Sequence, residues 1–204
     1  MTDQELKSFY EKLYFQEVEA RDKVNSRLQM PLTLILATLG AVAFLLDNFD
    51  HQPGAWTASR MAFTFLFATG SIVLVLAIMR FARALYNHEY HFLPDSLETA
   101  EYRALLEQTY KEFAERERLI SEAMNTYIVE AYIQYAAFNT RVNDRRSAYI
   151  HLCNGAIIAS AALFISAFLT FHFGDLNKST IKAATEVVVA KPVEVRIQDS
   201  RRQP

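Results

Sequence analysis

Three stretches of this chain carry no Asp, Glu, Lys or Arg. They are the 19 residues between Arg27 and Asp47, the 19 between Arg60 and Arg80, and the 28 between Arg146 and Asp175. A helix needs about 20 mostly apolar residues to cross the hydrocarbon core of a bilayer, so each stretch is long enough for one span. The expected fold is an all-α integral membrane protein with three transmembrane helices and a cytosolic helical bundle. The hydrophobic share, 51%, is only slightly above that of a soluble protein. The signal lies in where the apolar residues fall, since the charges fill the segments between the windows.

Net charge is -2, so nothing in the bulk electrostatics points to nucleic acid, and no direct nucleic-acid binding is expected. The lone cysteine, Cys153, falls in the third window. An intramolecular disulfide is impossible, and such a thiol acts as a small inert hydrophobe. The N-terminus lacks the positive region and early apolar run of a signal peptide, and the first span lies too deep to be cleaved as one. It is expected to remain as an anchor.

The organisation expected along the chain is as follows. Residues 1–28 form an amphipathic cytosolic helix, with Leu6, Phe9, Tyr10, Leu13 and Tyr14 at helical spacing. The first span covers 29–46, with Pro31 in its first turn, where a missing amide costs little. An extracytoplasmic loop, 47–59, holds turn residues and Trp56. The second span covers 60–83, and Tyr86 and Tyr90 beyond it suit a membrane–water boundary. A cytosolic helical hairpin occupies 84–146. Asp95 and Glu98 mark a helix start within it, Leu105, Leu106, Tyr110 and Phe113 form one apolar face, and Glu112 to Arg118 is a solvated patch. From Ser121 a helical pattern runs without Gly or Pro into the third span, 147–173, so one long helix is expected to pass from cytosol to membrane. The tail, 174–204, reads as extended or disordered, with Val187 to Ile197 strand-like but broken by Pro192.

Lys and Arg near the spans set the orientation. The first loop has none before Arg60, whereas Arg21, Lys23 and Arg27, then Arg80 and Arg83, then Arg141, Arg145 and Arg146 flank the other side. The N-terminus and the middle segment are therefore expected in the cytosol, and the first loop and the C-terminus outside.

Four constellations could carry function. Arg21 to Arg27 before the first span and Arg141 to Arg146 before the third both place Asn, Asp and Arg at the inner interface. They read either as plain positive-inside anchoring or as a specific interhelical network of Arg21, Asn25, Arg27, Asn139, Asn143 and Arg145. Gly155, Ala159, Ala162 and Ser166 make a small-residue helix-packing face, serving either packing within the chain (against Ala37 and Gly40, or Gly70 and Ala77) or association between chains. His151, Asn154 and His172 are polar groups inside the third window, near its ends. His88-Glu89-Tyr90-His91 invites a metal reading but lacks the H-E-x-x-H spacing, so an interfacial role is its default. No phosphate-binding loop, nucleophile elbow or paired-cysteine site is present. No enzyme activity, metal or other cofactor is expected.

The segments Tyr14-Phe15-Gln16-Glu17-Val18-Glu19-Ala20-Arg21-Asp22-Lys23 and Ala137-Phe138-Asn139-Thr140-Arg141-Val142-Asn143-Asp144-Arg145 bracket a span-loop-span hairpin and a long cytosolic helical region. Over about residues 5–150 this arrangement resembles the SLATT class of small bacterial membrane proteins. It also resembles membrane effectors of nucleotide-signalling and retron anti-phage systems; the third span departs from the plain two-span pattern. The resemblance implies a homo-oligomeric effector that perturbs the bacterial inner membrane when a cytosolic sensor protein detects infection, and it supplies no catalytic residues. The alternative is a non-toxic adaptor or structural subunit that docks a partner through its cytosolic helices.

Overall fold

A computed structural model describes residues 2–50 and 56–178. The interior of the first loop and the tail from residue 179, with the Val187 to Ile197 expectation, lie outside the described residues. The described chain folds into five helices: α1 (Asp3–Arg27), α2 (Gln29–Asn48), α3 (Ala58–Leu85), α4 (Ser96–Thr109) and α5 (Arg116–Phe173). Among the described residues the only β pairing is an isolated antiparallel bridge between Phe49 and Asn177.

Local chemistry sets the helix ends. A capping box starts α1: the Thr2 hydroxyl accepts from the Glu5 amide, and the Glu5 carboxylate accepts from the Thr2 amide at 2.7 Å. This Thr-x-x-Glu signal was legible in the sequence but absent from the expectations above. α1 passes into α2 at Leu28, whose amide bonds back to Asn25. Pro31, three residues on, has no N–H to offer the Arg27 carbonyl, so the helical ladder is interrupted at this joint. Thr57 caps α3, and Asp95 caps α4 by accepting from the Glu98 amide at 2.8 Å. α5 runs for 58 residues, about 87 Å at the usual rise. It contains no Pro, and its one glycine, Gly155, sits in its interior.

α5 is the spine. α1 and α2 follow it in the same direction, as shown by Tyr14 meeting Tyr132, Val24 and Leu28 meeting Ile150, Ile35 meeting Ile157, and Leu45 packing in the cluster of Phe164 and Phe171. α3 runs back along it, with Ala84 near Ile150, Ala77 beside Cys153, and Phe63 against Phe171. The two helices come close at Gly70, where an added Cβ would lie 3.3 Å from Leu163 Cβ and from the Phe164 ring. Fully buried Ala77, Cys153, Ser160 and Ala167 keep this seam thin.

Three helical stretches are long and apolar enough to cross a membrane: the one ending at Asn48, Ala58–Leu85, and the C-terminal half of α5. Their outward faces carry Leu36, Phe44, Phe65, Ile72, Ile158, Ile165 and Phe168, all exposed. A water-soluble monomer rarely presents so continuous an apolar surface, whereas lipid is a good solvent for it.

At the loop end the chain is clasped. Arg60 donates to both the backbone and the carboxylate of Asp50 at 3.2 Å, with both side chains largely buried. Phe49 stacks on Phe63 at 4.6 Å, the Asp50 amide donates to Leu176, and Lys178 Nζ reaches the Asp47 carbonyl at 2.8 Å. At the other end α4 lies against the start of α5 through Tyr102 and Tyr127, 4.5 Å apart. Of the apolar face expected on α4, the structure buries Leu106 and leaves Leu105 and Phe113 exposed. The acidic and basic residues near Glu112 are solvent-facing: Arg118 pairs with Glu115 and Glu122 of its own turn.

Candidate functional site

Between α3 and α4 the chain does not remain helical. Asn87 takes a left-handed backbone (φ 63°), which Asn tolerates better than most residues, and residues 88–95 cross the molecule as an extended strap. Such a strap exposes backbone groups that need partners, and they come from α1 and α5. Asn139, fully buried, acts like a neighbouring strand: its Oδ1 accepts from the His91 amide at 3.0 Å and its Nδ2 donates to the His91 carbonyl at 2.9 Å. The Tyr14 hydroxyl accepts from the Leu93 amide at 3.1 Å. The His91 ring lies flat on Phe138, with centroids 3.9 Å apart, and meets Tyr135 edge-on.

One helical turn toward the apolar zone, Asn143 repeats the device. Its Oδ1 accepts from the Tyr90 hydroxyl at 2.8 Å, and its Nδ2 donates to the Glu17 carbonyl at 3.0 Å and the Glu17 carboxylate at 2.9 Å. Tyr90 in turn accepts from Arg146 Nη1 at 2.9 Å. Arg146 also donates from Nε to the Ala84 carbonyl at 3.0 Å and from Nη2 to Asn25 Oδ1 at 2.8 Å. One guanidinium thereby ties the end of α3, the end of α1, the strap and α5 together, just ahead of the apolar run of α5. Arg21 sits beside it, 5.8 Å from the Tyr90 ring centre and 5.3 Å from that of Phe92, and pairs with exposed Asp22.

Of the six network residues expected from sequence, Asn25, Asn139 and Asn143 enter hydrogen bonds between elements, and Arg21 contacts the strap through its aromatic rings. Arg27 and Arg145 are exposed and stand apart from the cluster. The correction has a simple cause. On α5 the buried positions step 139, 143, 146 at helical spacing, so position 145 points outward and Arg146 takes the role assigned to Arg145. Glu17, Tyr14, Tyr90 and His91 were not foreseen as members. Asn139 and Asn143 on one face were the available signal; their partners lie on a strap with no periodicity to read.

The small-residue face is placed differently from the packing-within-the-chain reading. Gly155, Ala159, Ala162 and Ser166 are all exposed, and nothing lies within 4 Å of a Cβ built on Gly155. The seam with α3 uses the neighbouring face instead: Cys153, Ala156, Ile157, Ser160, Phe164 and Ala167. Ala37 and Gly40 are likewise exposed, while Gly70 and Ala77 are buried in that seam. His151 and His172 face outward. Asn154 Oδ1 is buried with no hydrogen-bond partner among the described residues. Of the His88 to His91 segment, His88 donates from Nε2 to the Arg83 carbonyl at 2.8 Å, closing the end of α3. Among the described residues no group of three or more His, Cys, Asp or Glu is placed to hold a metal.

The cluster contains no nucleophile paired with a base. What it provides is mechanical: four segments locked by directional bonds at the base of three apolar helices. No protein-family model, curated protein or solved structure matches this chain.

Proposed function

We propose that this chain is a bacterial inner-membrane effector, with its N-terminus and the 84–146 segment in the cytosol and its C-terminus outside. A trigger or sensor protein acts on the α1–α4–α5 bundle, and the spans respond by associating between copies and perturbing the bilayer, as in defence against phage. The observation that carries the reading is the continuity of α5. One unbroken helix holds Asn139, Asn143 and Arg146 in the polar cluster and, about two and a half to five and a half turns beyond Arg146, presents Gly155, Ala159, Ala162 and Ser166 outward. Small residues at a lipid-facing position favour close helix approach. A shift at the cluster is therefore delivered to that stripe without a joint to absorb it.

The test is induced expression in a bacterial host, with growth and membrane potential followed by a voltage-sensitive dye. Depolarisation by the native chain, lost in Asn143→Leu and in Gly155→Leu while both still insert, is the expected result. Gly155→Leu is informative because its surroundings are open, so the monomer keeps its fold. Depolarisation unchanged in both variants would remove the cluster and the stripe from the mechanism.

A second reading, a non-toxic adaptor, is favoured by one observation: Leu6, Phe9, Phe15, Leu97, Leu105 and Phe113 are exposed on the polar bundle. Normal growth at confirmed membrane levels, with a stoichiometric co-purifying protein lost in Phe9→Ser/Phe15→Ser, would select it.

A further inference from the structure

Arg146 has 4% of its surface exposed, and among the described residues no carboxylate lies within ion-pairing distance of it. Its three hydrogen bonds go to neutral acceptors, the Ala84 carbonyl, the Tyr90 hydroxyl and Asn25 Oδ1. A guanidinium has five N–H donors, so two remain. The acid that the cluster does hold, Glu17, is engaged by Asn143 and is separated from Arg146 by Asn143 and Tyr90. A buried cation is costly unless a counter-charge meets it, and the described residues supply none directly.

Arg146 borders an open surface depression of about 320 Å³ lined also by Arg21, Asn25, Tyr86, His88 and Tyr90. Among the described residues no acid lines it. Both guanidiniums approach the Tyr90 ring, Arg21 to 5.8 Å and Arg146 to 5.9 Å, and both border the same depression. The carboxylate partner of Arg21, Asp22, is largely exposed and screened by water. The depression lies where α3 ends at Leu85 and where the apolar run of α5 begins at Ser147. In a bilayer this is the level of the lipid phosphates.

The geometry points to a binding site for a phosphate group, with Arg146 and Arg21 as its charge partners and Asn25 and Tyr90 holding Arg146 in place. Guanidinium donors match phosphate oxygens in pairs, and basic pockets between membrane helices suit anionic headgroups. The source of the phosphate is an anionic phospholipid or a free phosphate; the chemistry is the same. This inference rests on insertion of the chain into a bilayer and not on the effector reading.

The test uses the full chain in nanodiscs of phosphatidylcholine, whose choline offsets the charge of its own phosphate, with or without phosphatidylglycerol, and in phosphatidylcholine discs with millimolar inorganic phosphate. Retained lipid is read by native mass spectrometry and thermal stability by circular dichroism. Retention of phosphatidylglycerol over phosphatidylcholine by about tenfold, reduced at least threefold in Arg21→Gln, supports a lipid source. Stabilisation by inorganic phosphate, lost in Arg21→Gln, supports a free one. Arg21 is partly exposed, so its replacement keeps the fold; Arg146→Gln is the second variant where it folds. Arg27→Gln and Arg145→Gln are controls from the same border. An equal loss in these controls, a preference that survives in Arg21→Gln, or no response to either ligand overturns the assignment.

Discussion

Replacing Asn139 with Leu removes the partner of a whole peptide unit while keeping the side chain's heavy-atom count and its branching at Cγ. The native side chain satisfies both the amide and the carbonyl of His91, at 3.0 and 2.9 Å, from a fully buried position. Two hydrogen bonds of about 1 kcal/mol each are lost, and the two groups left without partners cost about 1–3 kcal/mol apiece if they stay buried. The strap can swing outward to reach water, which caps the loss, so about 2–4 kcal/mol is expected for holding it in place. At about 1.4 kcal/mol per tenfold, hydrogen exchange at the His91 amide should accelerate about thirty- to seven-hundred-fold. Helical amides of the α3–α5 seam should keep their native rates. The assay is hydrogen–deuterium exchange in nanodiscs, with peptides covering 86–95 and 63–80 compared. Asn139→Asp keeps the acceptor and loses the donor, so an intermediate rate is expected. If His91 exchanges in Asn139→Leu as slowly as in the native chain, the strap is held by something else and the argument from Asn139 fails.

Three further outcomes follow from other parts of the molecule. Gly70→Leu should lower the melting temperature in detergent by an amount equivalent to about 1–3 kcal/mol, because the new side chain meets Leu163 and Phe164 at once; an unchanged melting temperature would mean that the seam is looser than described. Burial, then the charge of Glu11, pushes the Tyr132 phenol above its ordinary pKa of 10.0. The unfolded chain therefore loses that proton first, so stability should be fully present below about pH 10 and fall as pH rises further, with Tyr132→Phe flattening the decline; an identical decline in the variant would acquit Tyr132. Arg60→Ala breaks a largely but not wholly buried pair with Asp50, costing between about 1 kcal/mol for an exposed pair and about 3 kcal/mol for a buried one. Proteolysis within the first loop should speed up accordingly, and an unaltered digestion rate would discount the clasp.

The three apolar helices were legible because lipid imposes a composition over a length, and both can be counted along the chain. The long α5 was legible for a related reason: nothing between Arg116 and the third window breaks a helix. The Asn pair on α5 could be placed on one face by spacing alone. The exchange of Arg145 for Arg146 shows the limit of that approach. Three basic or acidic neighbours in a row all suit an interface, and only the azimuth of a packed helix decides which one turns inward. The strap shows a deeper limit. Residues 88–95 have no period, and their order comes entirely from side chains far along the chain: Asn139, Asn143 and Tyr14.

The sequence by itself determined how many helices are long and apolar enough to cross a bilayer, where they start, and that polar residues cluster at one end of them. These properties depend on what each segment does with its own solvent. The tertiary structure decided which face of α5 meets α3, which leaves Gly155, Ala159, Ala162 and Ser166 outside the seam. It also decided that Arg146 is buried against neutral partners. Both depend on the relative rotation of packed helices, set by the close approach at Gly70 and the hydrogen bonds of the strap, and no single segment carries that information.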